Sequence, residues 1–405
     1  MRILFVSHRF PYPPTFGSKV RAFNIIKHLA RSHEVSVLSL ARSDDEAREA
    51  AGIAPFCRDF SVFRVHNALQ VAKLGLLLPT TVSASEAFFH SAGMRREIDQ
   101  RLASRSYDFV FAHCSAVGRY VEPHRGLPML MDLCDVDSRK WLDYAAVKPW
   151  PLSMGYRWEA WRVERAERRQ AQTFDRVTVA TRGEAESLAA MGVGQGVDWF
   201  ANGVDLEYFQ PGDVAAQEEL VTFVGRMDYF PNEQCMVEFC ARTWPRLRQL
   251  RPNLRLQIVG AAPTARVLAL AAIDGVTVTG AVPDVRPYVR ASTLTIAPLS
   301  IARGTQNKIL ESMAMGVPVV ASTIAAAGVD AVPEEHLLAA ANDDELAAQI
   351  LRLLGDAGLR RRLAAAGRER VASHHDWPQA MARMDRIMAA CSANHGRVGQ
   401  EAAAL

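Results

Sequence analysis

Residues 296–323 read IAPLSIARGTQNKILESMAMGVPVVAST. The stretch opens on an apolar run short enough for a buried strand and closes on a second, PVVAS. Between them stand Arg303, Gln306, Asn307, Lys308 and Glu311. Strand, helix, strand with continuous apolar strands is the pattern of a parallel sheet covered on both faces. A helix starting near Thr305 or Gln306 leaves its first N–H groups without intrahelical partners, at the positive end of the helix dipole. Gly304, just ahead, lets a ligand approach the backbone closely. The segment therefore reads as an anion site. Lys308 would meet a phosphate, and Glu311, one turn deeper on the same face, would accept from paired hydroxyls such as those of a ribose. The same spacing also suits an exposed i,i+3 ion pair worth roughly a few tenths of a kcal/mol.

Outward from this stretch the alternation covers most of the chain. ILFVSH, EVSVLSL, YDFVFAHCS (107–115), MLMDLCDV (129–136) and FDRVTVATR (174–182) form a first series of strands. A second series begins at ELVTFVGR (219–226) and runs through LRLQIVGA, VTVTGAV, LTIAPL and PVVAST. The join falls in ANGVDLEYFQPGD (201–213), whose Asn, Gly, Pro and Asp content is that of a turn-rich linker. The expectation is an α/β chain of two doubly wound, Rossmann-like domains, residues 1–200 and 201–374, facing across a cleft. A last amphipathic helix over 375–391 is placed against the first domain, with a flexible tail over 392–405. In open α/β sheets ligands bind beyond the carboxyl ends of the strands.

Bulk properties narrow the partners. The 405 residues carry a net charge of +3, which gives nucleic-acid binding no support. The charge is unequally shared: residues 1–200 hold 27 Lys and Arg against 22 Asp and Glu, and the remainder 20 against 22. A mildly basic first half suits an anionic membrane or acceptor, or simply solvated helix faces. The six cysteines, with no Cys-x2-Cys pair, read as reduced thiols in a cytoplasmic protein. The first apolar run is too short for a signal peptide, and no run approaches the roughly 20 residues that span a bilayer. The apolar segment 69–78 reads as a buried helix or a membrane-touching loop.

Further candidates lie at strand ends. FVGRM places Gly225 and Arg226 at the carboxyl end of a strand, where a guanidinium bonded to phosphate contributes roughly 1.5–3 kcal/mol. Gly17 closes the first loop immediately before a helix. His113 ends the strand YDFVFAH, as a hydrogen-bonded structural residue or a catalyst. Asp135 and Asp137 in MDLCDVDS, together with Lys19, are acceptor-side candidates. The two aspartates fit an acceptor contact, a general base or, best, helix caps.

At this point the chain resembles GT-B glycosyltransferases of family 4. The resemblance rests on the Gly17 loop, the strand ending in His113, NGVDLEYFQP (202–211), FVGRM, DVRPYVRASTLTIAPL (284–299) and KILESMAMGVPVVAS (308–322). MDLCDVDSRKWLDYA and PLSIARGTQNKILESMAMG are most similar to transferases of the exosortase/PEP-CTERM exopolysaccharide system. The resemblance implies a nucleotide-sugar donor, UDP-sugar foremost, with Glu311 at the ribose and Arg226 at the diphosphate. It further implies Gly17 close to the diphosphate, His113 at the donor sugar, and Gly304 and Thr305 offering backbone N–H groups. It also implies retention by front-face attack. A sugar or lipid-linked acceptor against the first domain would suit that domain's positive balance and the apolar 69–78 segment, with the enzyme cytoplasmic or on the inner face of the plasma membrane. No cofactor or metal is invoked, because basic groups meet the charge. A nucleotide-sugar 2-epimerase of the same fold and a non-catalytic nucleotide-binding partner stay open. Two departures stand out. The family's Glu-x7-Glu motif has Arg303 where its first Glu belongs, and the lysine usual about five residues after the Arg of FVGR is replaced at Pro231–Asn232. Lys308 is the proposed substitute.

Overall fold

In the computed structural model every residue is described except 15–16, 66–69, 71–79, 194–195, 215 and 404–405, and the side chains of 18 and 396–403. The chain divides into two units, Met1–Ala201 with Ala380–Leu405, and Asn202–Gln379. Apolar runs become the central strands in both, because those strands are buried on two faces and need no polar alternation.

The first unit is built on seven parallel strands: β1 (Arg2–Ser7), β2 (Glu34–Ala41), β3 (Asp59–Arg64), β4 (Phe109–His113), β5 (Met129–Cys134), β6 (Arg176–Val179) and β7 (Val197–Trp199). Their order is β3-β2-β1-β4-β5-β6-β7, so the direction of winding reverses between β1 and β4. Helices α1 (Gly17–Leu29), α2 (Asp137–Val147) and α3 (Leu152–Thr173) belong to this unit. Val6, Leu38, Val110, Met131 and Val177 close the core between sheet and helices.

The second unit repeats the plan with β8 (Leu220–Val224), β9 (Arg255–Val259), β10 (Val276–Gly280), β11 (Leu294–Ala297), β12 (Val319–Ser322) and β13 (Leu338–Ala340), in the order β10-β9-β8-β11-β12-β13. Its winding reverses between β8 and β11. Helices α4 (Phe230–Arg242) and α5 (Asn307–Ala314) follow β8 and β11, so their amino ends lie at the reversal, where a doubly wound sheet leaves room for a ligand. Phe223, Ile258, Ile296, Leu310 and Val320 are among the core residues that fix this edge.

The final helix, α6 (Trp377–Ala403), enters the first unit at Ala380. There Arg383 donates to the Trp199 carbonyl, the Cys391 thiol to the Met129 carbonyl at 3.5 Å, and Asp385 pairs with His28 at 2.9 Å. The tail expected over 392–405 is corrected: the chain stays helical through Ala403, and His395 is hydrogen-bonded to Asp175 at 3.1 Å. The apolar segment 69–78, save Gln70, lies outside the described residues.

Candidate functional site

In the second unit Gly225 and Arg226 leave the end of β8, and Gly304–Gln306 lead into α5. Gly304 takes a left-handed φ of 61°, which a side chain would resist. Its carbonyl lies so near Gly328 that a Cβ there would come within 2.4 Å of it. Gln306 is the residue that precedes α5, and its side chain donates to the Arg303 carbonyl at 3.0 Å rather than capping the helix. The helix therefore begins with open N–H groups at Asn307 and Lys308. Asn307 also accepts from Asn202 at 3.4 Å. The Thr305 hydroxyl is buried and makes no hydrogen bond among the described residues.

Lys308 does not pair with Glu311. Its ammonium donates to Asn232 Oδ1 at 2.6 Å and lies 4.3 Å from the centre of the Phe223 ring. The Asn232 amide nitrogen in turn donates to the Arg226 carbonyl at 2.9 Å. Only one orientation of the Asn232 amide satisfies both neighbours. Gly225 makes the arrangement possible, because a Cβ there would sit 2.7 Å from Asn232 Nδ2 and 3.2 Å from Lys308 Nζ. Asn232 was visible in the sequence only as the residue standing where a lysine is usual. The structure makes it the bridge between α4, α5 and the Arg226 loop.

Electrostatics follow from this enclosure. Burial lowers the Lys308 ammonium to about 8, with Cys235 and Glu311 opposing the shift. Burial raises the Glu311 carboxyl to about 7, opposed by Lys308. Each group keeps some surface; Lys308 is held by Asn232, and the Glu311 side chain makes no hydrogen bond among the described residues. Arg226 is held differently. Its guanidinium makes a two-pronged contact with Asp228, at 2.7 and 2.9 Å, and is half exposed. An incoming phosphate would exchange with Asp228, a residue that sequence reasoning missed.

In the first unit His113 ends β4, but its ring is 1% exposed. Its Nδ1 lies 3.0 Å from Asp132 Oδ2. Asp132 also accepts from Arg21 Nε and NH2, at 2.8 and 2.9 Å, and from the Thr178 hydroxyl at 3.0 Å. Arg21 completes its fork on the Phe200 carbonyl and stacks over the Phe200 ring, 3.8 Å from its centre. Arg21 drives the Asp132 carboxyl well below the usual range, against the opposing effect of burial. Neither Arg21 nor Asp132 was singled out from sequence; an acid inside the apolar run MLMDLC was the available signal. Cys134 joins His113 and Asp132 in a cluster of metal-binding residue types. Burial raises its thiol well above its ordinary value, and Asp132 is already saturated by Arg21, so the cluster is a poor cation ligand set.

The helix-capping reading of Asp135 and Asp137 is corrected. Val136 precedes α2 and no side chain of its own caps that end. Asp137 pairs instead with Lys140. Carboxylates from elsewhere meet the helix start: Glu184 accepts from Val136 N at 2.6 Å, and Glu167 from Ser138 N at 3.1 Å. Asp135 makes no side-chain hydrogen bond among the described residues, and burial together with Glu184 raises it to about 7. Lys19 is buried against Glu46, which takes it out of solvent. Gly17 begins α1 with no atom within 4 Å of where a Cβ would stand.

Comparison with known proteins fits this geometry. Residues 16–203 match the family "Glycosyl transferase 4-like domain", and residues 218–356 match "Glycosyl transferases group 1". A D-inositol 3-phosphate glycosyltransferase of Nocardiopsis dassonvillei is 27% identical over 258 residues, which span 56% of this chain and 59% of that protein. Among solved structures, sucrose-phosphate synthase of Thermosynechococcus elongatus superposes with a TM-score of 0.71 at 19% identity, covering 96% of this chain and 98% of the other. Anabaena HepE in complex with UDP gives 0.68 at 16% identity, with 96% and 100% covered. The two parallel sheets and these neighbours identify the fold as GT-B.

Proposed function

We propose that this chain, which belongs by its two domains to the 4-like and group 1 glycosyltransferases, moves a sugar from a nucleoside-diphosphate donor, a UDP-sugar foremost, to a sugar acceptor on a lipid or polysaccharide precursor. The observation that carries the reading is the Lys308–Asn232 bridge beside Gly225 and the open start of α5. It sets a cation against α4, the helix on which the usual lysine would stand. A second basic group, Arg226, lies on the loop between them. The neighbour crystallised with UDP supports the nucleotide class.

In the proposed reaction the bond from the anomeric carbon to the diphosphate breaks, and negative charge grows on the leaving phosphate. Fixed cations placed there favour the transition state over the bound donor. Lys308, Arg226 and the α5 N–H groups do this work without a metal or an enzyme nucleophile, which is compatible with retention by front-face attack. Glu311, once ionised, accepts from the ribose hydroxyls. The resemblance assigns Gly17 to the diphosphate and His113 to the donor sugar; His113 is buried here against Asp132 and Cys134. On the acceptor side Asp135 is the better placed aspartate, since Asp137 is engaged by Lys140. The motif MDLCDVDSRKWLDYA aligns the chain with exopolysaccharide assembly of the PEP-CTERM kind.

Thermal stabilisation by UDP, GDP, ADP, CMP, dTDP and their sugar conjugates tests this. A ligand at a hundred times its Kd adds about 2.7 kcal/mol. One nucleotide should stabilise the native protein and lose that effect in Glu311→Ala. Stabilisation by none of them sinks the donor reading.

A further inference from the structure

Seven of the fifteen large apolar side chains exposed among the described residues fall between positions 142 and 161: Leu142, Val147, Trp150, Leu152, Met154, Trp158 and Trp161. That stretch is one hairpin, α2 and α3 joined through Lys148–Pro151. The buried face of α3 mixes Ala160, Val163 and Ala166 with the polar Glu159, Arg162, Glu167 and Gln170, whereas the large apolar Met154, Trp158 and Trp161 stand outward. A surface helix ordinarily shows the reverse. Trp150 is 76% exposed, Met154 59%, Trp158 44% and Trp161 41%. The last two rings stack with centroids 4.8 Å apart, and the Trp150 indole nitrogen donates to the Met154 sulfur at 3.1 Å. At helical spacing the stripe 154, 158, 161 continues into Arg165 and Arg168, and the Arg165 guanidinium lies 5.1 Å from the Trp161 ring centre.

We propose that this hairpin docks the protein on an anionic lipid bilayer, the indoles of Trp150, Trp158 and Trp161 entering the headgroup region between cations. Charge decides the occupant. The solvent-reaching cations of the hairpin include Arg139, Lys140, Lys148, Arg157, Arg165 and Arg168; the solvent-reaching acids are Asp137, Asp143 and Glu164. Asp137 is paired with Lys140 and Glu164 with Arg168, so outside those pairs Arg139, Lys148, Arg157 and Arg165 stand against Asp143. A second copy of the chain is a worse occupant. In a two-fold pair formed through this face, Arg157, Arg165 and Arg168 would meet their own copies as the rings were buried. A bilayer of anionic lipid satisfies both halves of the surface at once, because indoles favour the interface and basic side chains beside it add attraction to the headgroups. No described helix is long and apolar enough to cross a membrane, so the docking is peripheral. Docking through the hairpin does not depend on the donor site.

The test is cosedimentation of the full chain with phosphatidylcholine vesicles, with and without phosphatidylglycerol, alongside tryptophan fluorescence. The protein should bind the anionic vesicles with a blue-shifted emission and leave the neutral ones. Trp158→Ser with Trp161→Ser, and separately Arg157→Glu with Arg165→Glu, should each weaken binding about tenfold or more while melting like the parent. Leu268→Ser, an exposed apolar change in the other unit, should bind normally. Equal binding to neutral vesicles, or double variants that bind like the parent, overturns the proposal. So does a protein that binds no vesicles but forms a dimer that the Trp158/Trp161 variant cannot form; that result would make the face an interface between copies.

Discussion

Lys308 Nζ stands 2.6 Å from Asn232 Oδ1, so the ammonium on α5 is tethered to the α4 residue that replaces the family's usual lysine. In the proposed donor site this would move the charge to the other side of the phosphate position rather than remove it. Lys308→Ala should weaken nucleotide-sugar binding by about 1.5–3 kcal/mol, roughly ten- to a hundredfold. The exchange Asn232→Lys with Lys308→Asn should recover most of that loss. Titration calorimetry on the single and exchanged variants decides it: an exchange no better than Lys308→Asn alone removes the case for relocation.

Donor affinity should depend on pH as a narrow bell. Glu311 is raised to about 7 and must be ionised to accept from hydroxyls, so affinity falls as pH drops below that value. Lys308 is lowered to about 8 and must be protonated to meet phosphate, so affinity falls above it. The stability signs run in the same window. Glu311 favours the folded state fully below its ordinary 4.5 and loses that contribution as pH rises through about 7. Lys308 does so above its ordinary 10.5 and loses it as pH falls through about 8. Between the two values both groups are charged and poorly solvated, and a ligand relieves both. Calorimetry with a nucleotide-sugar, whose diphosphate does not titrate near neutrality, should show the maximum there. Glu311→Gln should flatten the acid limb and leave the alkaline one.

Two glycines should respond oppositely to alanine. At Gly225 the new methyl would strike Asn232 Nδ2 and crowd Lys308 Nζ, so the bridge must open. Gly225→Ala should lower stability by about 1 kcal/mol, from the lost hydrogen bonds, and abolish donor binding. No described atom crowds Gly17, and Gly17→Ala should melt at or slightly above the parent temperature, since an unstrained Gly→Ala change narrows the unfolded ensemble by roughly 0.4–1 kcal/mol. Its donor affinity should nevertheless drop if the diphosphate approaches that backbone. Paired melting curves and donor titrations separate the cases; unchanged binding in Gly17→Ala would remove the loop from the site.

What could be read in advance tracks burial. The central strands, apolar on both faces, announce themselves in ILFVSH, FVFAH and PVVAS. The strands that sequence analysis did not pick out, β3, β7 and β13, are edge strands with a neighbouring strand on one side only; β3 and β7 are partly exposed and β7 and β13 are three residues long, so the apolar signal thins. Glu311, Lys308 and Gly225 were legible because helix periodicity and strand ends place them. Asn232, Asp228 and the Arg21–Asp132 pair were not, since their roles lie in contacts between segments far apart in sequence or in a local turn that no spacing encodes. Lys308 illustrates the difference: its position on α5 was foreseen, its partner was not.

The Arg21–Asp132 pair should prove structural. Both side chains are buried, and Asp132 serves Arg21, His113 and Thr178 together. Asp132→Asn keeps the shape but leaves Arg21 a buried charge without a counterion, a change that costs about 3–5 kcal/mol. Because the carboxyl is held below its ordinary value, its stabilisation is present above the usual aspartate range and lost as pH falls through the depressed value. Chemical denaturation at neutral and acid pH should show the gap between parent and variant closing on acidification. A variant as stable as the parent at neutral pH would contradict this.

The Arg303 position offers a last test, because the family's first carboxylate of Glu-x7-Glu is absent there. A carboxylate at that place would act on the sugar, whereas in the proposed site the nucleotide would be held by Lys308, Arg226 and Glu311. Arg303→Glu should therefore leave the affinity for the free nucleoside diphosphate within about twofold, a difference under 0.5 kcal/mol, and change the order of preference among its sugar conjugates. Competition titrations of several conjugates against one nucleotide measure both quantities at once. If the variant loses the free nucleotide as severely as the conjugates, position 303 belongs to the phosphate site, and the division of labour along 303–311 is wrong.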